Sequence, residues 1–362
     1  MKREIFQAGI CNWDHPQQEH FVKIVFATMA TLLPPEELDR LSKIDPEIGE
    51  ALEFFPPSRL NGLSPDERVK QMRLGFDAMP LPDPVPSVHQ SEVSYVTRDG
   101  TKLRMLVYKP ALANEDLPLF VWYHGGGFCL GRPEMNMELC QEIVKQQYCV
   151  VIAPQYRLAP EHKFPIPVQD SWDSLEYVAN HAKDFGADLS RGFVVGGESA
   201  GSAIASVLSL QARDQSLKPP LTGSFLCVGS YFNPSSIPEK YAPYYRSRTD
   251  EACLASPMLS KESKAAFDAC HQPDLTSPLS RSALNQNGHR GLPRTYLQAC
   301  GMDINRDDSF CYRHLLEENG VETKMDVYPG GPHSFWFMFG ESELGLKWKR
   351  ETQAGLKWLL KR

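Results

Sequence analysis

Gly192-Phe193-Val194-Val195-Gly196-Gly197-Glu198-Ser199-Ala200-Gly201 carries an apolar, strand-like run straight into a Gly-x-Ser-x-Gly turn. Behind it, Ser202-Ala203-Ile204-Ala205-Ser206-Val207-Leu208-Ser209-Leu210 reads as helix. Strand, tight turn and helix is the setting in which a serine takes a strained backbone and lifts its hydroxyl above a sheet. Small residues two before and two after the serine are required because strand and helix nearly touch there. The N–H groups that open the helix face the same spot and favour developing negative charge. By composition alone the pentapeptide is expected in roughly one chain in ten of this length, so an ordinary glycine-rich turn is the competing reading.

A second motif answers that competitor. Pro118-Leu119-Phe120-Val121-Trp122-Tyr123 reads as a buried strand and ends in His124-Gly125-Gly126-Gly127. Three consecutive glycines let backbone N–H groups approach a substrate oxygen with no Cβ in the way. This tetrapeptide is expected by chance in about one chain in several hundred.

The rest of the chain alternates. Predicted strands are 118–123, 148–153, 192–196, 222–229, 294–300 and 323–329, and predicted helices are 133–147, 168–182, 200–213, 306–319 and 344–361. This alternation implies an α/β fold with a mostly parallel sheet and helices on both faces. Glu92–Thr97 and Lys102–Tyr108 flank Asp99-Gly100, a hairpin signal. Residues 1–90 hold helix signals and proline: Phe21 to Leu33 has helical spacing, and Ser64-Pro65-Asp66-Glu67 opens a helix toward Met79. Pro80 to Pro86 reads as an extended linker. The division expected is 1–90 as N-terminal cap helices and linker, 91–230 with 292–362 as the core, and 231–291 as an inserted lid, because a long polar segment inside a compact domain is usually functional.

Composition narrows the partners. The 362 residues carry a net charge of −7, which argues against nucleic acid or an anionic membrane as an electrostatic partner. There is no basic block, no apolar leader behind Lys2-Arg3 and no run of 18 apolar residues, so a cytoplasmic chain without a membrane span is expected. Nine scattered cysteines without a C-x-x-C pair read as free thiols in a reducing compartment, with Cys149, Cys227 and Cys300 as small core residues. No His/Cys/Asp cluster has metal-ligand spacing, and no metal or cofactor is expected.

Serine needs a base, and the base an orienting acid. His333, in Gly330-Gly331-Pro332-His333, follows the predicted strand 323–329. Asp303 ends the strand Thr295–Cys300 and is favoured over Asp307 and Asp308, which fall in the first turn of the next helix, where acids commonly serve the dipole. Ser199, Asp303, His333 is the chain order of an α/β-hydrolase triad.

The chain resembles the hormone-sensitive-lipase (HGGG) esterase family of α/β-hydrolases over roughly residues 90–362. The residues carrying the likeness are His124-Gly125-Gly126-Gly127, Tyr156-Arg157-Leu158-Ala159-Pro160-Glu161, Gly197-Glu198-Ser199-Ala200-Gly201, Gly301-x-Asp303 and His333. The family's D-P-L-R-D reads Asp303-Ile304-Asn305-Arg306-Asp307 here, and Ser334 stands where a glycine usually follows the histidine. The resemblance implies a serine carboxylesterase with an oxyanion hole at the backbone N–H groups of Gly126, Gly127 and Ala200. It also implies that His124 braces the oxyanion loop, and that Arg157 and Glu161 lock the loop after the strand ending at Ala153.

The expected substrate is an ester of a small to medium, fairly apolar intracellular metabolite, cleaved through an acyl-enzyme. Phe128, Phe335 and Trp336 are candidate pocket walls, and Tyr231, with Phe232, Tyr241, Tyr244 and Tyr245, lies at the start of the lid. Three alternatives stay open: acyl transfer, lactonisation or cyclisation at the same site; elimination, as in dehydratases similar to this family; and non-catalytic binding, as in hormone receptors that have lost the histidine. The oligomeric state is open, a homodimer included.

Overall fold

The computed structural model describes residues 32–54, 60, 62–113 and 116–360. The predicted helix from Phe21 lies outside them up to residue 31, and Leu32 and Leu33 are not helical. Helices α1 (Pro35–Leu41), α2 (Pro46–Leu52) and α3 (Pro65–Asp77) come first. The start of α3 is a reciprocal cap: the Glu67 N–H donates to Ser64 Oγ, and the Ser64 N–H donates back to Glu67 Oε2. After the proline-rich stretch come β1 (Val88–Val96), β2 (Lys102–Pro110), β3 (Leu119–Tyr123), α4 (Met137–Gln147), β4 (Val150–Pro154) and α5 (Ile166–Asn180). Next are β5 (Phe193–Glu198), α6 (Ala200–Asp214), β6 (Gly223–Cys227), α7 (Glu251–Leu254) and α8 (Lys261–His271). The chain closes with β7 (Arg294–Met302), α9 (Arg306–Glu318), β8 (Thr323–Pro332), α10 (Trp336–Phe339) and α11 (Glu343–Leu360).

Eight strands form one sheet in the order β1-β2-β4-β3-β5-β6-β7-β8. β1 and β2 are an antiparallel hairpin, β2 pairs antiparallel with β4, and the rest of the sheet is parallel. The central strands are buried on both faces, which is why they read as unbroken apolar runs. Alternate residues serve opposite cores. Leu119, Val121 and Tyr123 of β3, with Phe193 and Val195 of β5, pack in the core that also takes residues of α5, α6 and α9. Phe120, Trp122 and Val194 point the other way, into the core shared with α4 and α11. There Trp122 and Phe225 meet at 5.4 Å, and Phe225 stacks on Tyr296 at 4.8 Å.

The segment 231–291 enters between β6 and β7 and is not a bare loop. Ser260 caps α8 by accepting from the Ser263 N–H, and Ser263, Ala266, Phe267, Cys270 and His271 turn its buried side inward. That spacing is helical, yet polar residues between the buried ones dilute it in the sequence. Helix α8 packs against α3. Arg73 of α3 donates to the Cys129 and Ala159 carbonyls and pairs with Glu161. Arg157 grips Asp170 of α5 through Nε and Nη2 at 2.8 and 2.7 Å and reaches Asp99 at the β1–β2 turn. Arg157 and Glu161 thus hold loops together. Among the described residues no helix is long and apolar enough to cross a membrane. Eight cysteines of the described residues are buried and free.

Candidate active site

β5 delivers Ser199 at φ 54° and ψ −113°, a conformation that L-residues avoid, and α6 begins at the next residue. The tightness of the turn is measurable at its glycines. A Cβ on Gly201 would lie 2.0 Å from the Tyr123 carbonyl oxygen, and one on Gly197 would lie 2.4 Å from the Gly201 backbone. The strained serine is therefore held by backbone on both sides. Its own N–H donates to the Cys227 carbonyl at 2.8 Å, fixing the turn to β6.

The other two residues arrive from the next parallel strands. Asp303 follows the last residue of β7 and His333 the last residue of β8. His333 Nε2 lies 2.8 Å from Ser199 Oγ, and His333 Nδ1 lies 2.7 Å from Asp303 Oδ2. Asp303 is fully buried, and its other oxygen accepts the Asn305 N–H at 2.9 Å. Burial opposes a charged imidazole at His333, but the Asp303 carboxylate and Glu198 outweigh it and hold the ring's pKa above its ordinary value.

The competing acids are committed elsewhere. Asp307 Oδ2 accepts the N–H groups of Arg246 and Ser247, both at 2.6 Å. Asp308 Oδ1 accepts those of Tyr231 and Phe232 at 2.7 and 3.0 Å. Both anchor the 231–291 segment to α9 and leave His333 to Asp303.

The glycine loop runs beside the serine: a Cβ on Gly125 would lie 3.3 Å from Ser199 Cβ. Gly126 sits at φ 110° and Gly127 at φ 60°, with the Phe267 ring against the latter. Gly126, Gly127 and Ala200 line the same hollow as Ser199 and His333. His124 is buried beneath the loop, stacked on Tyr156 at 4.3 Å, with Nδ1 at 2.7 Å from the Gly125 carbonyl oxygen. Burial pulls its pKa down to about 4, so it is a neutral brace at neutral pH.

The serine that replaces the usual glycine after the histidine has a partner. Ser334 takes φ 52° and donates to Glu198 Oε1 at 2.8 Å, while Trp336 Nε1 donates to Oε2 at 3.3 Å. Glu198, next to the nucleophile, thereby clamps the histidine loop. Burial raises its carboxyl to about 7. If His333 acts as base, kcat/KM falls as pH drops and the ring takes up a proton. Glu198 favours that proton only as it ionises near pH 7, so Glu198→Gln moves the acid limb modestly to lower pH. A kcat/KM profile between pH 5 and 9 with a 4-nitrophenyl ester reads the shift, and an unmoved limb refutes the coupling.

The hollow over Ser199 has a volume of about 520 Å³. Met72 and Phe76 of α3, Met79 just beyond its end, Phe267 of α8 and Phe337 of α10 supply apolar wall, and Phe128 lines the hollow too, stacked on His271 at 4.1 Å. Three pocket candidates are corrected. Tyr231 is fully buried in the core, stacked on Tyr312 at 4.5 Å and bonded to Ser202. Phe335 is fully buried against Tyr328 and Trp336. Trp336 stacks on Trp348 at 4.5 Å and borders a separate hollow beside α4. Phe232, Tyr241, Tyr244 and Tyr245 likewise do not border the hollow over Ser199; Tyr245 donates to Asp308 at 2.6 Å. The α3 and α8 walls were missed because each is more than 30 residues from any candidate catalytic residue in sequence, although Met72, Phe76 and Met79 have one-face helical spacing.

Fold and site together define an α/β hydrolase of carboxylesterase type. A family model described as alpha/beta hydrolase fold matches residues 120–337, and the chain belongs to that family. It is 33% identical over 329 residues to an AB hydrolase superfamily protein of Schizosaccharomyces pombe, covering 89% of this chain and 95% of that one. It is 30% identical over 299 residues to a versiconal hemiacetal acetate esterase of Dothistroma septosporum, covering 82% and 89%. Among solved structures it is similar to a vibralactone cyclase, with a TM-score of 0.83 and 30% identity over 91% of this chain and 98% of that one.

Proposed function

We propose that this chain hydrolyses the carboxylic ester of a small to medium, fairly apolar metabolite through an acyl-enzyme. The observation that carries the reading is the continuous run of hydrogen bonds from Ser199 through His333 to Asp303, opening on an apolar hollow. Ser199 Oγ attacks the ester carbonyl as its proton passes to His333 Nε2. The carbonyl oxygen becomes an anion held by the N–H groups of Gly126, Gly127 and Ala200, each such donor being worth about 2.7–4 kcal/mol. The intermediate collapses, the C–O bond to the alcohol breaks, and His333 returns the proton to the leaving oxygen. Water then gives a proton to His333 while attacking the acyl carbon, and Ser199 leaves reprotonated. Asp303 keeps a proton on Nδ1 so that Nε2 faces the serine with its lone pair. We assign the role of a lid to 231–291, with α3 beside α8 closing the hollow from above.

A second reading is favoured by the likeness to the vibralactone cyclase. The same acyl-enzyme passes its acyl group to a hydroxyl of the substrate itself, closing a lactone without net consumption of water. The two readings differ by one water in product mass. Intact mass after fluorophosphonate treatment tests what they share. One adduct on the native chain is expected, located at Ser199 by peptide mapping; an unlabelled chain argues against both.

A further inference from the structure

The end of the hollow formed by the 257–281 segment is charged, and the charges do not balance. Lys264 and Asp268 are an i,i+4 pair on α8, and both border the hollow. Arg281 borders it too and is only 5% exposed. Its Nη1 donates to the Ser280 carbonyl and hydroxyl oxygens at 2.8 and 3.1 Å, and its Nε is buried with no partner.

The carboxylates whose attraction reaches Arg281, Asp308 and Asp268, are already occupied. Asp268 is held by Lys264. Asp308 accepts two backbone N–H groups on one oxygen and the Tyr245 hydroxyl and Arg248 Nη2 on the other. Arg248 with Asp308 and Lys264 with Asp268 are two matched pairs, and Arg281 forms no ion pair with a carboxylate among the described residues. Burial pulls its pKa down against the attraction of Asp308 and Asp268, yet a guanidinium stays charged at neutral pH. A buried cation without a carboxylate is costly, and this side chain borders the hollow that a ligand would fill. The remaining wall, from Met72, Phe76 and Phe267, asks for an apolar body.

Resting on the ester-hydrolase reading above, we infer that the preferred ester carries a second, anionic group, a carboxylate, which docks on Arg281 while the ester carbonyl lies at Ser199. The substrate is then amphipathic, with an apolar middle and an acidic end. Guanidinium–carboxylate pairing is charge-assisted and directional, so it fixes which ester of a molecule meets the serine.

Two series of esters test this. Mono-4-nitrophenyl esters of the straight dicarboxylic acids from succinic to suberic put the carboxylate at stepped distances on the acyl side. The 2-, 3- and 4-acetoxybenzoates put it on the alcohol side. The methyl ester of each compound is its neutral counterpart, and rates are normalised to fluorophosphonate-titrated sites. In at least one member the native enzyme is expected to favour the acid over its methyl ester by about tenfold or more in kcat/KM. Arg281→Met should lower that ratio by about 10- to 100-fold, the range of a charge-assisted hydrogen bond, and Arg281→Lys should keep part of it. Because the readout is a ratio at titrated sites, partial misfolding of a variant cancels. An enzyme that cleaves the neutral esters but never prefers the acids, or whose preference survives Arg281→Met, overturns the inference and leaves ester hydrolysis standing. An enzyme that cleaves neither series and takes no fluorophosphonate overturns both.

Discussion

Ser199→Ala is expected to lower kcat for a 4-nitrophenyl ester by about ten-thousand- to a million-fold while leaving KM and stability close to those of the native chain. The size follows from what one atom does. In the proposed mechanism no acyl-enzyme forms without Oγ and His333 has no hydroxyl to activate, so the proposed oxyanion donors and the hollow would supply only residual catalysis over water. The fold has no reason to object. Ser199 Oγ bonds to His333, while the tightness of the turn comes from Gly197, Gly201 and the Ser199 N–H. Alanine bears the same positive φ at a similar cost. Single-turnover kinetics separates a lost chemical step from lost binding. A variant that still turns over within a hundredfold of the native rate would mean that water, or another group, is the nucleophile.

The parts of this site that were legible in the sequence are those where backbone geometry forces residue choice. A turn with backbone 2.0 Å from a Cβ position admits only glycine at 201, and a loop at φ 110° strongly favours it at 126. Such positions announce themselves in any sequence. Asp303 and His333 were legible for a related reason: each sits one residue beyond a strand whose apolar run is unmistakable. Parallel order then puts both strand ends on the same edge as Ser199.

Side-chain direction was not legible. Phe335 and Trp336 are neighbours of the histidine in sequence, but Ser334 at φ 52° turns the chain so that both rings enter the core under the sheet end. Tyr231 follows the end of β6, yet its hydroxyl bonds back to Ser202 on α6. Adjacency along the chain says little about which side of a loop a ring takes. The true walls come from α3 and α8, whose packing against each other is a tertiary fact that neither pattern encodes alone. Arg281 was invisible for the same reason. A buried, unmatched cation is defined by where the surrounding carboxylates point, and that is settled only once Asp308 has bonded Tyr231, Phe232 and Arg248.

Asp303→Asn is expected to lower kcat by about ten-thousand-fold with little loss of stability, and Asp308→Asn to do the reverse. The contrast separates acids that are five residues apart and both fully buried. In the proposed mechanism Asp303, 2.7 Å from His333 Nδ1, accepts from it and so fixes the tautomer whose Nε2 lone pair faces Ser199. An amide at 303 can offer its own N–H to Nδ1, which drives the proton to Nε2 and leaves the base unable to accept one; this tautomer fault carries the large rate loss. Asp308 touches neither His333 nor Ser199. Its carboxylate neutralises Arg248, whose side chain is 14% exposed, and ties Tyr231 and Phe232 to α9. Asparagine there keeps an acceptor but strands the arginine's charge, at a cost of about 3 kcal/mol or more. Urea midpoints and kcat per fluorophosphonate-titrated site, measured on both variants, read the two effects independently. Equal rate losses in the two would mean that Asp308 supports the histidine through the 231–291 segment, and the acid at 303 would lose its separate role.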